Sequence, residues 1–527
     1  MAISSRMNVR WALAIAMVVC ALGTATMAVA QETTGRLVGQ VTLKTDQSPL
    51  PGVAVEALHV PTGTRYATVT AANGRYSILN VRVGGPYTMT ANISGFRPQT
   101  QQGFEVGLGE SRTMNFAMEL ESITEAVVVT AESAPLISPD RMGTTAAVSE
   151  QQIQALPTVR RQIQDFARTN PYFSNDTADQ SGTRLNVAGK NNRYNTIQID
   201  GAVNNDLFGL ADTGTPGGQA NTQPISLDAV QELQLVVSPY DIKQGGFTGG
   251  GINVITRGGT NEFHGSVYGS LRSEDYVSDT VAGLERPISE FSEDQYGARI
   301  GGPILKDKLF FFLSGEMNRR EAPTGVSADG STATVYNNPA QAAAFRQSLI
   351  DKYQYDPGGL GDFNGATDSD LIFGRLDFNM SPSHNATLRH NYVNAGNDVI
   401  ADRSTTRYRF ETAIYNLADE TNSTVLQVNS VFGANSFNVG RVGYQTIRDV
   451  RATPVIFPSV DIGPVARQPQ LAAGTERFST ANSLDQDILE ITDDFTFIKG
   501  NHTITVGTHN EIFDFSNLFL SDNFGWY

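Results

Sequence analysis

From Phe263 to Arg272 the chain alternates. Phe263, Gly265, Val267, Gly269 and Leu271 are apolar or small, while His264, Ser266, Ser270 and Arg272 are polar, with Tyr268 as the ambiguous member. A period of two predicts a long strand with unlike faces, and here one face suits lipid and the other a wet lumen. Just upstream the pattern differs. Leu233 to Val237 predicts a short strand, Ile252 to Thr256 another, and Gly258-Gly259 a turn. Between the two strands stand Gly249, Gly250 and Gly251, which permit backbone conformations and close approaches that side chains would block.

Toward the N-terminus, residues 34–120 carry LVGQVTL, VAVEAL, RYATVTA, GRYSIL, YTMTANI and TMNFAMEL, separated by Pro, Gly and Asn. That is the spacing of a small β-sandwich. The last of these alternates, with Met114, Phe116, Met118 and Leu120 on one face and Thr113, Asn115, Ala117 and Glu119 on the other. Residues 121–134 form a polar linker with one apolar run, Ala126-Val127-Val128-Val129-Thr130-Ala131. In SEQQIQALPTVRRQIQDFARTNPY, Ile153, Leu156, Ile163 and Phe166 mark two short helices, and RLNVAGKNNRYNTIQIDGAVNNDLFGL predicts a hairpin-like segment.

After residue 260, short and long connections alternate. Predicted strands at Phe263–Arg272 and Gln295–Pro303 flank a long polar loop, and Lys306-Asp307-Lys308 turns tightly into Leu309–Met317. A loop from Arg319 to about Ser369 follows, then hairpins at Leu371–Met380 with Ala386–Val393, Val425–Phe432 with Phe437–Tyr444, and Ile488–Ile498 with His502–Phe513. Short turns on one side and long loops on the other is the pattern of outer-membrane barrels. A soluble sandwich would keep both sets short. The strands number roughly nine, whereas plugged outer-membrane transporters have about 22. The expected wall is therefore incomplete, an open sheet with free edges at Phe263–Arg272 and His502–Phe513, and the chain reads as an N-terminal fragment of a longer protein.

Composition and charge narrow the function. A formal charge of -16 excludes a nucleic-acid binder, which needs a basic footprint. Past the N-terminus no apolar run reaches the roughly 20 residues of a membrane helix, so a spanning protein of this sequence has to be a barrel. At the start, Arg6 and Arg10, the apolar core Trp11 to Leu22 and the small residues Ala28-Val29-Ala30 predict a signal peptide over residues 1–30; the bland alternative is a cytosolic apolar helix. Cys20, the sole cysteine, lies inside that core, and bulky Val18 and Val19 before it argue against a lipoprotein. Without it the mature chain has neither disulfides nor thiolate metal sites.

The order of these pieces resembles a known family. VQELQLVVSPYDIKQGGFTGGGINVITRGGTNEFHGSVYGS is similar to the plug-to-barrel junction of TonB-dependent outer-membrane receptors, closest to the Oar-like, OmpA-related group with an extra N-terminal domain. SPLPGVAVEA, ANGRYSILNV and GGPYTMTANISGF resemble the carboxypeptidase regulatory-like domain. The resemblance implies a mainly β protein: signal peptide 1–30, β-sandwich 34–120, linker 121–134, α+β plug 135–259, and the N-terminal part of an antiparallel transmembrane β-barrel, 260–527. It implies that Ala126, Val127, Val128, Val129, Thr130 and Ala131 are the TonB box. A β-branched segment can add as a strand to a partner's sheet edge. On the residues alone the same run is equally a last strand of the preceding sandwich, and the plug that follows favours coupling.

The function so implied is active uptake of a siderophore, glycan or peptide across the outer membrane. The partners are the TonB energy-coupling complex, outer-membrane lipid and an extracellular substrate, with no cofactor and no catalysis. Arg184, Lys190, Arg193 and Asp200 of the plug would face substrate or, more simply, a wet lumen wall. The alternative is a non-transporting outer-membrane surface or adhesion protein. A secreted peptidase is disfavoured, because none of the six histidines begins an H-x-x-E or HExxH motif; likewise no P-loop occurs. Asp356, Asp362, Asn364, Asp368 and Asp370 cluster beside glycines, but their spacing does not match an EF-hand, and a solvated acidic loop is the preferred reading.

Overall fold

The computed structural model describes residues 34–120, 128–130, 144–158, 161–175, 184–211, 213–238, 245–278, 280–281, 284–285, 288–400, 403–433, 435–463, 470–499 and 502–527. The predicted signal peptide, with Cys20, lies outside the described residues. Among them no helix is long and apolar enough to cross a membrane, and the chain is mainly β, as expected.

The N-terminal sandwich has two sheets. In one, Thr34–Leu43 pairs antiparallel with Arg75–Arg82 and parallel with Ser111–Thr113 and Phe116–Met118. The other runs in the order Thr64–Val69, Ala54–His59, Gly84–Asn92, Gln99–Val106, Val128–Thr130. Alternation turns Leu37, Val55, Met89, Phe116 and Met118 into the space between the sheets, where they are fully or almost fully buried; each such side chain contributes about 1.5–3 kcal/mol. Two readings need correction. TMNFAMEL falls in two short strands, Ser111–Thr113 and Phe116–Met118, because the Asn115 side chain accepts from the Gln40 amide between them; Leu120 lies past the second strand and is exposed. Gln99–Val106 is a strand that the hydrophobic pattern does not reveal.

The next body is built on a five-stranded sheet in the order Thr144–Val148, Val230–Ser238, Gly251–Thr256, Thr196–Ile199, Ala202–Val203. Ser149 and Gln152 form a capping box that starts the helix Glu150–Ala155. With the helix Ile163–Ala167 it places Ile153, Ile163 and Phe166 against Leu233, Leu235 and Val254. Leu156 instead caps the first helix and stays exposed. The glycine run does what its composition requires: a Cβ on Gly249 would lie 2.3 Å from Asn195 Oδ1, and one on Gly250 2.5 Å from Val187 Cγ1.

Around this plug curves a nine-stranded antiparallel sheet, the wall. Its order is His264–Ser273, Ser292–Leu305, Leu309–Pro323, Asn364–Ser381, His384–Val399, Tyr415–Phe432, Ser436–Ala452, Ser483–Lys499, His502–Leu518. Every strand pairs with its neighbours in chain order, and among the described residues the first does not pair with the last, so the sheet is open. Val267, Ile300, Leu313, Ile372, Leu426 and Val442 project outward and are exposed, as a lipid face demands. Phe312 and Phe373 point inward and join the plug core.

The strands outrun their predicted ends because their outer turns carry polar residues on both faces. Thus Leu309–Pro323 and Asn364–Ser381 replace part of the expected long loop. What remains of that loop is folded rather than merely solvated. It holds the helix Pro339–Tyr353, and Phe345 and Leu349 share a core with Tyr408, Phe410 and Leu471 from the next two long connections.

Candidate functional site

The hairpin Thr196–Ile199 with Ala202–Val203 turns on Asp200-Gly201. Both turn residues have positive φ, 47° and 74°, the two-residue geometry for which Asp-Gly is preferred. The hairpin reaches the wall at its tip. Arg389 donates to the Ile199 carbonyl, and its Nε lies 3.3 Å from the Asp200 carboxylate. Arg441 donates to the Gly201 carbonyl at 2.5 Å. Arg375 lies 3.7 Å from Asp200 and donates to the Thr256 carbonyl and hydroxyl at 3.0 and 2.8 Å. Asp200 in turn accepts from the Thr256 amide (2.8 Å) and hydroxyl (2.6 Å).

The wall's register brings these arginines together: Arg375 and Arg389 lie in one row, and Arg441 in the next row toward the short turns, with Asp377, Thr387 and Gln427. Arg375 and Arg389 are direct cross-strand partners, as are Gln427 and Arg441. Asp377 accepts from Arg375 at 2.8 and 3.0 Å and from Thr387 at 2.8 Å. Glu490 accepts from the Val203 amide at 3.1 Å and lies 3.9 Å from Arg441. Buried charges are tolerated here because each has opposite charge or backbone dipoles around it. Removing one partner of such a set costs about 3–5 kcal/mol.

Higher on the wall the contacts stay polar. Glu316 accepts from Ser226 of the plug and from Tyr268, both at 2.6 Å, so the ambiguous Tyr268 faces inward. Arg161 stacks over the Tyr268 ring at 4.2 Å while pairing with Asp228 at 2.7 Å. Asn391 donates to the Pro224 carbonyl, and Gln445 to Asn204. Of the four plug charges singled out in the sequence, Asp200 meets the wall. Lys190 and Arg193 are exposed, and Arg184 is half-buried.

The sandwich is seated at the end of the wall that carries the short turns. The Asn261 amide donates to the Pro61 carbonyl at 2.7 Å, Asn379 to the Thr64 hydroxyl at 2.9 Å, and Arg82 reaches Asp377 at 3.3 Å. Asp377 therefore ties sandwich, wall and plug together through Arg82 and Arg375. Gly258 makes room for this: a Cβ there would fall 2.1 Å from Arg82 Nη2 and 2.5 Å from Asp377 Oδ2. Beside it a cavity of about 430 Å³ opens between the three bodies, lined by His59, Arg82, Glu150 and Arg257 among others. His59 is buried with its Nδ1 2.7 Å from the Thr62 hydroxyl. Burial, with the Arg82 charge second, holds its pKa down to about 3.

Of the expected coupling segment, Val128–Thr130 forms a three-residue strand beside Gln99–Val106, and Ala126, Val127 and Ala131 lie outside the described residues. In the loop cap, Asp356 is bound by Arg346 and Asp362 accepts from Thr324 and the Gly325 amide, while Asp370, on the wall strand Asn364–Ser381, pairs with Arg319 of the neighbouring strand. These carboxylates are thus pulled apart by separate partners. Among the described residues no group of three acidic, His or Cys side chains could hold a metal ion.

Comparison with known proteins agrees with this architecture. The sequence profile of the carboxypeptidase regulatory-like domain matches residues 36–119, and that of an outer membrane beta barrel domain matches residues 255–363. The chain is 27% identical over 295 residues to the TonB-dependent transporter Oar of Myxococcus xanthus, covering 52% of this chain and 26% of that protein. It is 28% identical over 208 residues to the "Probable TonB-dependent siderophore receptor PirA" of Acinetobacter baumannii, covering 38% and 25%. The matched stretch thus spans about a quarter of either relative's length. The solved outer membrane transporter YddB from Escherichia coli has a similar fold, with a TM-score of 0.51 at 14% identity over 70% of this chain and 48% of that one. The chain is homologous to TonB-dependent receptors, and its barrel wall belongs in the outer membrane.

Proposed function

We propose that this chain is the sandwich, plug and first part of the wall of a TonB-dependent outer-membrane transporter, and that its plug is opened by pulling from the periplasm through Ala126–Ala131. The observation that carries this reading is the polarity of the plug sheet. One edge, the Thr196–Val203 hairpin, is gripped by wall arginines. The other edge, Thr144–Val148, is the first plug strand after the linker and is paired over five residues with Val230–Ser238. Force arriving through the linker peels that strand first, while the hairpin stays with the wall. Partial opening of the plug then makes a passage without expelling it. No bond in the cargo is made or broken, so the protein acts as a transporter rather than an enzyme; the cargo is a siderophore, glycan or peptide.

The test is Val128→Pro. Proline removes a backbone donor and disrupts regular strand pairing, so uptake should fall to the level of a strain lacking TonB while outer-membrane insertion is unchanged. Uptake that persists in this variant would place the coupling segment elsewhere, or favour a surface protein that does not transport.

A further inference from the structure

Alternation along the wall strands turns Asp419 and Asp449 inward, and they are direct cross-strand partners. Like charges placed opposite one another in a sheet repel, and these two are only 1% and 8% exposed. Elsewhere inside the wall a buried carboxylate meets arginine, as Asp200 and Asp377 do; here it meets a second carboxylate. This level stands above the lipid. On the outer face of the same two strands are Glu420 and Arg448, whereas Leu426 and Val442 face outward nearer the short turns. From the plug, Gly217 comes in against Asp419 and donates its amide to it. Its φ is 69°, and a Cβ there would fall 2.6 Å from Thr222 Cγ2 and 3.0 Å from Asp419 Oδ1. The Thr421 hydroxyl donates to that same Oδ1 at 3.2 Å, while Oδ2 is buried without a donor.

We propose that Asp419 and Asp449 share a single proton, and that this proton holds the outer loop of the plug, residues 217–221, on the wall. The two side chains are within hydrogen-bond reach, and carboxyl groups can bond to one another only when one of them is protonated. Protonation turns the orphan Oδ2 into a donor. Two carboxylates in such contact resist ionising together, and Asp206 and Asp485 add further negative charge around Asp449. Arg451 opposes them, but its Nη2 is engaged by Gln219 of the plug loop at 2.5 Å. Beyond that bond the loop is held by Asn397, which donates to the Gln219 carbonyl at 3.5 Å, and by Ala220 among Leu371, Val393 and Leu417. A docked loop buries the pair and retains the proton; a lifted loop hydrates both carboxylates and lets solvent base take it. Docking is therefore favoured at low pH, and that contribution is lost as pH rises through the upper titration of the pair. The device is independent of the coupling role given to residues 126–131.

The test is hydrogen exchange at residues 217–221 of the full-length protein in outer-membrane vesicles, from about pH 6 to about pH 9, corrected for the base-catalysed intrinsic rate. Protection should fall as pH rises, by at most about tenfold per pH unit, the limit for one proton. Asp419→Asn replaces the acid with a neutral donor to Asp449, so its protection should stay high and flat across the range. Asp449→Asn leaves a donor opposite Asp419 and should flatten the profile too, which keeps the test decisive if one variant fails to fold. Infrared difference spectra of the native protein against Asp419→Asn should show the carbonyl stretch of a protonated carboxylic acid at neutral pH, lost over the same rise in pH. Protection independent of pH in the native protein would overturn the hold on the loop, and absence of the carboxylic band would overturn the shared proton. Protection at high pH that requires added Ca²⁺ and disappears on chelation would make the pair a cation site and overturn both.

Discussion

The two edges of the plug sheet are made of different materials. At Thr196–Val203, carbonyls and a carboxylate meet Arg375, Arg389 and Arg441, and the backbone of Val203 meets Glu490. At Thr144–Val148 the sequence is TTAAV, without a charge, and the strand is held by backbone pairing and by Val148 in the apolar core. Peeling a strand breaks backbone bonds a few at a time, each worth about 0.5–1.5 kcal/mol net. Freeing the hairpin would expose several buried charges together, at about 3–5 kcal/mol for each partner lost. A plug fixed on one side and peelable on the other can open part-way and close again.

Breaking the fixed side gives the largest effect after loss of coupling itself. Asp200→Ala removes both the carboxylate facing Arg375 and Arg389 and the Asp-Gly turn, and should loosen the hairpin by about 3–5 kcal/mol. Hydrogen exchange at Thr196–Val203, in the membrane, should rise accordingly. Asp200→Asn keeps a residue suited to the turn and removes only the charge. Exchange like that of the native protein in Asp200→Asn would show that the turn, and not the arginines, holds the hairpin.

A smaller effect is expected where the sandwich meets both bodies. Gly258→Ala places a methyl group against Arg82 and Asp377, and overpacking of this kind costs about 1–3 kcal/mol. Protease nicking between the sandwich and the plug should quicken, while Thr196–Val203 stays protected. Equal loss of protection in both places would mean that the sandwich seat and the hairpin grip are one cooperative unit.

The mildest test changes only pH. His59 has its pKa held down to about 3 by burial, whereas in an unfolded chain it titrates near 6.5. Between those values the unfolded chain binds the proton and the folded one does not. The stabilisation is therefore complete above about 6.5 and is lost as pH falls toward 3, by at most about 1.4 kcal/mol per pH unit. Urea unfolding of the sandwich should show this slope, and His59→Phe should flatten it. A slope unchanged in that variant would assign the acid sensitivity to other groups.

Much of this arrangement was legible before any coordinates. Alternation and turn spacing located the wall strands, the three glycines marked a close approach, and the stretch that holds Asp200-Gly201 read as hairpin-like. Three features were not legible, each for a physical reason. Gln99–Val106 reads QTQQGFEV, whose only buried side chains are Phe104 and Val106, so its strand is specified by neighbours rather than by its own pattern. The outer ends of the wall strands lose alternation because neither face there meets lipid. The arginine grip depends on partners far apart in sequence. Arg375 and Asp377 stand out as inward positions of an alternating strand, but nothing local shows that Arg389 will meet Ile199, 190 residues away.

The account turns on which edge of the plug yields first. Single-molecule pulling on full-length protein in outer-membrane vesicles, with the handle at Ala126–Ala131, addresses that order. Once the segment is off the sandwich, the first rupture should free Thr144–Val148 from Val230–Ser238 while Thr196–Val203 remains on Arg389 and Arg441. Departure of the hairpin first, or release of the plug in a single step, would contradict the account.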